Sequence, residues 1–280
     1  PSWGRVPASG VGDLYLHRLS TNGPMGRCPD DLALMLDAMS GPAPGQPMMQ
    51  GFPPVGAPAP QAEGRRIGWL GDWGGALPME EGVLALCEGA LGVLDGQGAQ
   101  VSTQPPPQDF APIWSSWLTL RAWAQAASLA PLADDPATAP LLKPEARWEI
   151  ETGRALSAIQ VHDASLARSD WYRASMALFE EYDALALPTA QCWPFEIGMD
   201  WPREIAGTPM ETYHQWMAVT VPASLLGLPA VAIPAGFGAA GWPMGLQLIG
   251  PPGSDAALLQ LAEAYHRATR WPETRPPPQS

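Results

Sequence analysis

The sequence predicts an α/β protein with a largely parallel sheet, and three observations carry that expectation. Residues 65–103 read as strand, helix, strand. Helical and strand-like runs alternate along the chain, and residues 213–250 pass from an apolar helical stretch into two strand-like segments punctuated by Gly and Pro. A strand–helix–strand unit returns the chain in its original direction, so its two strands pair in parallel. With 280 residues, 46% of them hydrophobic, the chain can bury a large core.

The elements follow in order. Pro29–Met39 places Leu32, Met35, Leu36 and Met39 at helical spacing, with Asp30 and Asp31 in the first turn and Gly41-Pro42 as a stop, which predicts a helix. Residues 42–64 are crowded with Pro and Gly and predict a surface connection. Residues 65–70 (RRIGWL) predict a buried strand, 79–97 a helix with Val83, Leu86, Ala90 and Leu94 near one face, and 100–103 a second strand. The stretch 109–181 predicts at least two helices, broken near Pro136 and Pro140; the Trp114 and Trp117 pair within it reads as core.

Residues 183–188 (DALALP) predict a buried strand, and 191–209, rich in Trp and Pro, a loop of the kind that shapes a site. Residues 210–225 regain helical spacing, with a bend or break expected at Pro222. Residues 230–234 and 244–249 are strand candidates joined by the turn-rich 236–241. Ser254-Asp255 is expected to cap a last helix over 256–269 that turns Leu258, Leu259, Ala262 and Tyr265 inward.

Charge and cysteine usage exclude several classes. With 28 acidic against 15 basic residues the net charge is −13 and no basic patch interrupts it, so neither nucleic acid nor an anionic membrane is an expected partner. Three scattered cysteines, Cys28, Cys87 and Cys192, suit neither a disulfide framework nor a zinc site and point to a reducing, cytoplasmic setting. No run of apolar residues is long enough to span a membrane, and no basic-then-apolar leader opens the chain. The opening Pro1-Ser2-Trp3-Gly4 is not an initiator sequence, which suggests a fragment or a processed piece.

No GxSxG elbow, phosphate-binding Gly loop followed by Lys, or HExxH helix occurs. The four histidines, His17, His162, His214 and His266, are scattered. His162, Asp163 and Ser165 have the residue types of a triad, but near neighbours on one helix point apart, so they read as a polar face. The only lysine, Lys143, reads as a solvated surface residue. Substrate contact is assigned instead to Gln191, Trp193 and Trp201 in the loop after Thr189, with Tyr213 and Trp216 behind it. A loop leaving the end of a buried strand is a common place for specificity groups, and aromatic rings there favour an apolar or extended amide.

Five segments give the chain a specific resemblance. They are PSWGRVP (1–7), NGPMGR with DLALMLDAMSGP (22–42), YDALALPT (182–189), GLPAVAIPAGF (227–237) and GWPMGLQLIG (241–250). In this order and spacing they resemble the amidase signature family of serine amidohydrolases, and WPF (193–195) with METYHQWM (210–217) resembles its bacterial amidases. The resemblance implies a mixed, largely parallel twisted sheet enclosed by helices, of which residues 1–280 form the carboxy-terminal portion. It also implies hydrolysis of carboxamide C–N bonds without metal or organic cofactor, by a Ser nucleophile, a second Ser and a Lys.

In family members the Ser-rich segment and the Lys precede the PSWGRVP segment, and nothing in residues 1–280 matches either. The expectation is therefore that no catalytic residue lies in this chain, that it is inactive alone, and that it forms a homodimer or pairs with the missing amino-terminal part. Two other readings remain open: a non-catalytic amidase-like binding module, and an amidotransferase subunit releasing ammonia from glutamine or asparagine.

Overall fold

The computed structural model describes residues 1–7, 13–16, 19–47 and 49–275. Of the predicted features, His17 lies outside the described residues. The centre is a five-stranded sheet of order β2-β1-β3-β7-β6, formed by β1 (Arg66–Trp69), β2 (Gln100–Thr103), β3 (Ala184–Pro188), β6 (Ala230–Phe237) and β7 (Pro243–Ile249). The β1–β2 and β1–β3 pairings are parallel, whereas β7 is antiparallel to both β3 and β6. Four strands therefore run one way and only β7 opposes them, giving a mixed, mostly parallel sheet.

Alternation along β3 shows how the sheet is enclosed. Ala184 and Ala186 pack toward α2 (Val83–Gly96) and α7 (Asp255–Thr269), while Leu185 and Leu187 enter a second core with α3 (Phe110–Asp134), α5 (Ala158–Leu178) and α6 (Val221–Leu226). All four are fully buried, and each leucine contributes roughly 1.5–3 kcal/mol of transfer free energy. Small residues face the α2–α7 side and large ones the three helices on the other, as a strand covered on both faces requires.

The helix α1 (Pro29–Met39) forms as expected, with Pro29 in its first turn and the Ser40 N–H closing on the Leu36 and Asp37 carbonyls. The break predicted near Pro136 and Pro140 is present: α3 ends at Asp134, a short 3-10 turn spans Ala139–Leu141, and α4 (Pro144–Arg154) follows. A further break at residues 155–157 was not expected. There Ser157 caps α5 through a reciprocal bond with Gln160, a Ser-x-x-Gln signature present in the sequence.

Three other expectations are corrected. The second helix starts at Val83 rather than 79, because Gly82 takes a left-handed conformation and residues 78–81 bend away to hold the loop after β3. Residues 210–225 are neither one helix from Met210 nor a helix bent or broken at Pro222. A 3-10 segment over Gln215–Thr220 passes into α6, and Pro222 sits in the first turn of α6, where its missing N–H costs nothing. Ser254 precedes α7 without a side-chain cap, since its hydroxyl donates to the Pro251 carbonyl at 2.8 Å. Asp255 is engaged instead by the start of the chain: it accepts from the Ser2 N–H at 2.7 Å and lies 3.4 Å from Arg5.

Within the predicted loop, β4 (Glu204–Ile205) and β5 (Thr208–Pro209) form a small hairpin turned by Ala206 and Gly207, both at positive φ. Leu258, Leu259, Ala262 and Tyr265 of α7 are buried as the spacing predicts. Among the described residues no helix is long and apolar enough to cross a membrane.

Candidate functional site

A cavity of about 870 Å³ opens between the loop after β3, the β6–β7 hairpin, α7 and residues 26–32. Its walls are mostly apolar, with Trp193 and Phe195 contributed by the loop, Trp216 by the 3-10 segment, and Val231, Ile233 and Met244 by the sheet. The sheet supplies the rigid floor, and the loop and the 3-10 segment supply the aromatic side.

Trp193 is held firmly for a loop residue. Its backbone N–H donates to the Glu80 carboxylate at 2.7 Å and its indole Nε1–H to the Glu81 carbonyl at 3.1 Å. The ring lies flush on Gly238 in the β6–β7 turn, where an added Cβ would stand 2.5 Å from the indole. Phe195 meets Trp216 edge to face at 5.4 Å. The rings therefore form a fixed aromatic wall rather than a collapsed loop.

The five nominated residues divide between places. Trp193 and Trp216 line this cavity. Trp201 and Tyr213 line a second one of about 480 Å³, beside Arg121, Lys143 and Glu149. Gln191 is fully buried and lines neither. Its amide nitrogen donates to the Pro78 carbonyl at 3.1 Å and its oxygen accepts from the Val219 N–H at 3.1 Å, so both polar ends hold backbone.

A polar cluster joins α3, α4 and the segment before α6, and of its members the sequence reading selected only Tyr213. Glu149, buried on α4, accepts from Arg121 Nε at 2.7 Å and from the Tyr213 hydroxyl at 2.9 Å, and its Oε1 lies 3.0 Å from His214 Nε2. Burial alone would raise its pKa. The His214 contact, the Arg121 charge and the Tyr213 bond outweigh it and hold the carboxyl below its ordinary range. Arg121 is the one cation in an otherwise apolar helical run, WLTLRAWA, and that isolation was the available signal.

Gln247 on β7 is a second missed residue. Its amide nitrogen donates to the carbonyls of Pro188 at 2.8 Å and Val219 at 3.1 Å, so Gln191 holds the N–H of Val219 and Gln247 its carbonyl.

Lys143 is exposed at the start of α4, and His162, Asp163 and Ser165 are exposed on α5, as expected. Trp114 and Trp117 stack at 5.5 Å, with Trp117 in the core. Among the described residues, the serine hydroxyls that donate or share hydrogen bonds do so with backbone carbonyls, Asp255, Gln160 and Tyr182. Among the same residues no group of His, Cys, Asp and Glu is arranged to hold a metal ion. Burial raises the thiols of Cys192, to about 11, and Cys87, to about 12, which removes them as ready nucleophiles.

Comparison with known proteins gives consistent matches. The Amidase family matches residues 1–259. The chain is 30% identical to a subunit of the glutamyl-tRNA(Gln) amidotransferase of Moorella thermoacetica over 305 aligned positions, covering 99% of this chain and 60% of that protein. It is 28% identical to an acylamidase of Rhodococcus erythropolis, covering 99% of this chain and 58% of that protein. The crystal structure of a bacterial aryl acylamidase of the amidase signature family superposes with a TM-score of 0.85 at 22% identity, over 97% of this chain and 58% of that one, a likeness of fold. The chain thus spans about three fifths of the length of these relatives.

Proposed function

This chain belongs to the amidase family, and on that premise we propose that the protein hydrolyses a carboxamide C–N bond, with the substrate's apolar substituent in the cavity walled by Trp193, Phe195 and Trp216. The observation that carries the reading is the fixed aromatic wall over a sheet floor, in a chain matched to the family over residues 1–259. A cavity of several hundred cubic ångströms lined by aromatics suits an acyl or aryl group. Trp201 and Tyr213 are proposed to border the same substrate's approach from the neighbouring cavity, and Gln191 to act by holding the loop.

Hydrolysis adds water across the C–N bond and gives a carboxylic acid and an amine. It needs a nucleophile with a base within hydrogen-bond reach and donors for the oxyanion. Under this reading the nucleophilic Ser, the second Ser and the Lys come from a segment outside residues 1–280, so these residues alone are inactive. That segment is proposed to pair beside β6, whose position at the sheet edge and whose exposed Ala230, Ala232 and Pro234 support the idea. The test is hydrolysis of an N-aryl carboxamide by the full-length gene product. Release of aryl amine and acid in equal amounts, stopped by a serine-directed phosphonylating reagent, is expected; resistance to that reagent would overturn the serine chemistry.

A second reading is favoured by the Moorella relative: the chain is part of an amidotransferase subunit. Copurification with a partner and glutamine-dependent ammonia release would select it, and their absence would remove it.

A further inference from the structure

The 3-10 segment Gln215–Thr220 carries Trp216 into the apolar cavity, and buried side chains hold it at both ends. At its far end Gln191 takes the Val219 N–H and Gln247 the Val219 carbonyl. At its near end the hold is Glu149, which belongs to α4. Tyr213 and His214 immediately precede the segment, and the Met217 N–H closes on the His214 carbonyl at 2.9 Å, so these two residues set where its first turn begins.

Both of those residues end on one carboxylate. Its Oε2 accepts from the Tyr213 hydroxyl at 2.9 Å, and its Oε1 lies 3.0 Å from His214 Nε2. Arg121 fixes the same carboxylate from α3, with Nε donating to Oε1 at 2.7 Å, and its Nη2 donates to the Tyr213 hydroxyl at 3.1 Å. His214 is 1% exposed and meets Trp117 edge to face at 5.0 Å. Its Nδ1 makes no hydrogen bond among the described residues, so the polar contacts of the ring all pass through Nε2. Without the carboxylate, Nε2 would face only the Arg121 guanidinium, 3.0 Å away.

We propose that Glu149 is a positioning residue: through Tyr213 and His214 it sets the start of the 3-10 segment, and so the stand of Trp216 in the wall that meets the substrate's apolar substituent. Trp216 packs edge to face on Phe195 at 5.4 Å, so a shift of the segment is passed on to the second ring. A buried ion pair that only joined α3 to α4 would need no bond to the segment, whereas this carboxylate spends one oxygen on each of two consecutive residues there. What the wall binds rests on the proposed function; that Glu149 sets the wall does not.

The test uses the full-length protein and two readouts. The first is the indole N–H resonance of Trp216, identified by its loss in Trp216→Phe. Glu149→Ala should displace it and leave that of Trp193, tied to the Glu81 carbonyl, in place. The second is a double-mutant cycle on the hydrolysis of an N-aryl carboxamide. Glu149→Ala should raise KM about fivefold or more with kcat held within about twofold, the mark of binding lost equally from ground and transition states, and should add little once Trp216 is already Ala.

Glu149→Gln keeps an acceptor for Arg121 and His214 and should recover most of the KM. Tyr213→Phe removes a single hydroxyl, so it should displace the resonance less and decides the matter if Glu149→Ala does not fold. Leu94→Ala, a fully buried change outside the cavity lining, controls for lost stability and should leave KM within about twofold. A Trp216 resonance unmoved in both Glu149→Ala and Tyr213→Phe, or additive effects of Glu149→Ala and Trp216→Ala on KM, would overturn the assignment. A displaced resonance in a protein that hydrolyses no anilide would keep the positioning and remove the proposed activity. Hydrolysis with an unmoved resonance would do the reverse.

Discussion

Gly153→Ala is the sharpest test of how the polar cluster is held. Gly153 is buried on α4 where it crosses α3, and an Ala Cβ there would stand 2.1 Å from the Ala122 carbonyl oxygen and 2.6 Å from the Ala126 methyl. That is roughly 1.3 Å short of ordinary van der Waals contact, against backbone that cannot rotate aside. Ala favours a helix over Gly by about 1 kcal/mol, whereas overpacking a core costs about 1–3 kcal/mol and more against a rigid neighbour.

The balance is a loss of about 2 kcal/mol, or roughly 4–8 °C in Tm for a chain of this size. Separating the helices also draws Glu149 from Arg121, whose 2.7 Å bond spans the same crossing. The assay is thermal unfolding beside Gly89→Ala, an exposed helical glycine whose Cβ would meet nothing within 4 Å and whose replacement should stabilise by up to about 1 kcal/mol. If both variants raise Tm alike, the close approach of α3 and α4 is wrong.

Further predictions concern the aromatic wall, the buried carboxylate and the thiols. Trp193→Ala in the full-length enzyme removes an anchored ring worth roughly 1.5–3 kcal/mol of apolar contact, so KM for an aryl amide should rise about tenfold or more, whereas Trp193→Phe should recover part of it. Glu149 has a folded-state pKa below its unfolded value, so its stabilisation is present above about pH 4.3 and is lost as pH falls through the folded value. In Glu149→Gln the stability deficit should therefore be constant above about pH 5 and shrink on further acidification, as urea titrations across that range would reveal; a deficit independent of pH would contradict it. At pH 8 iodoacetamide should modify the half-buried Cys28 while Cys87 and Cys192, raised to about 12 and about 11, react only on unfolding; mass spectrometry of the labelled peptides reads the order.

Much of the fold was legible because periodicity and punctuation coincide. DALALP reads as a buried strand and is one, since a five-residue apolar run ended by Pro leaves little choice. The 210–225 stretch misled because Pro222 starts a helix as readily as it breaks one, and spacing alone does not distinguish the two. The site was half legible. Trp193 stands in a Trp-rich loop after a buried strand and lines the apolar cavity, whereas Trp216 reaches the same cavity from the 3-10 segment beyond that loop, a meeting that spacing does not show. Gln191 could not be placed, because a buried amide and a substrate-facing one are the same letter, and only the Val219 peptide decides between them. Arg121 and Glu149 lie 28 residues apart on different helices, and Gln247 is one polar residue in an apolar strand. Their partnership exists only once the helices cross.

The central claim is that this chain builds the amide pocket while the nucleophile enters from elsewhere. The most direct measurement compares anilide hydrolysis by residues 1–280 alone with hydrolysis by the same residues joined to the upstream segment of their gene. The account predicts no turnover from the first and serine-dependent release of aryl amine from the second. Turnover by residues 1–280 alone, abolished by a serine-directed reagent, would contradict it.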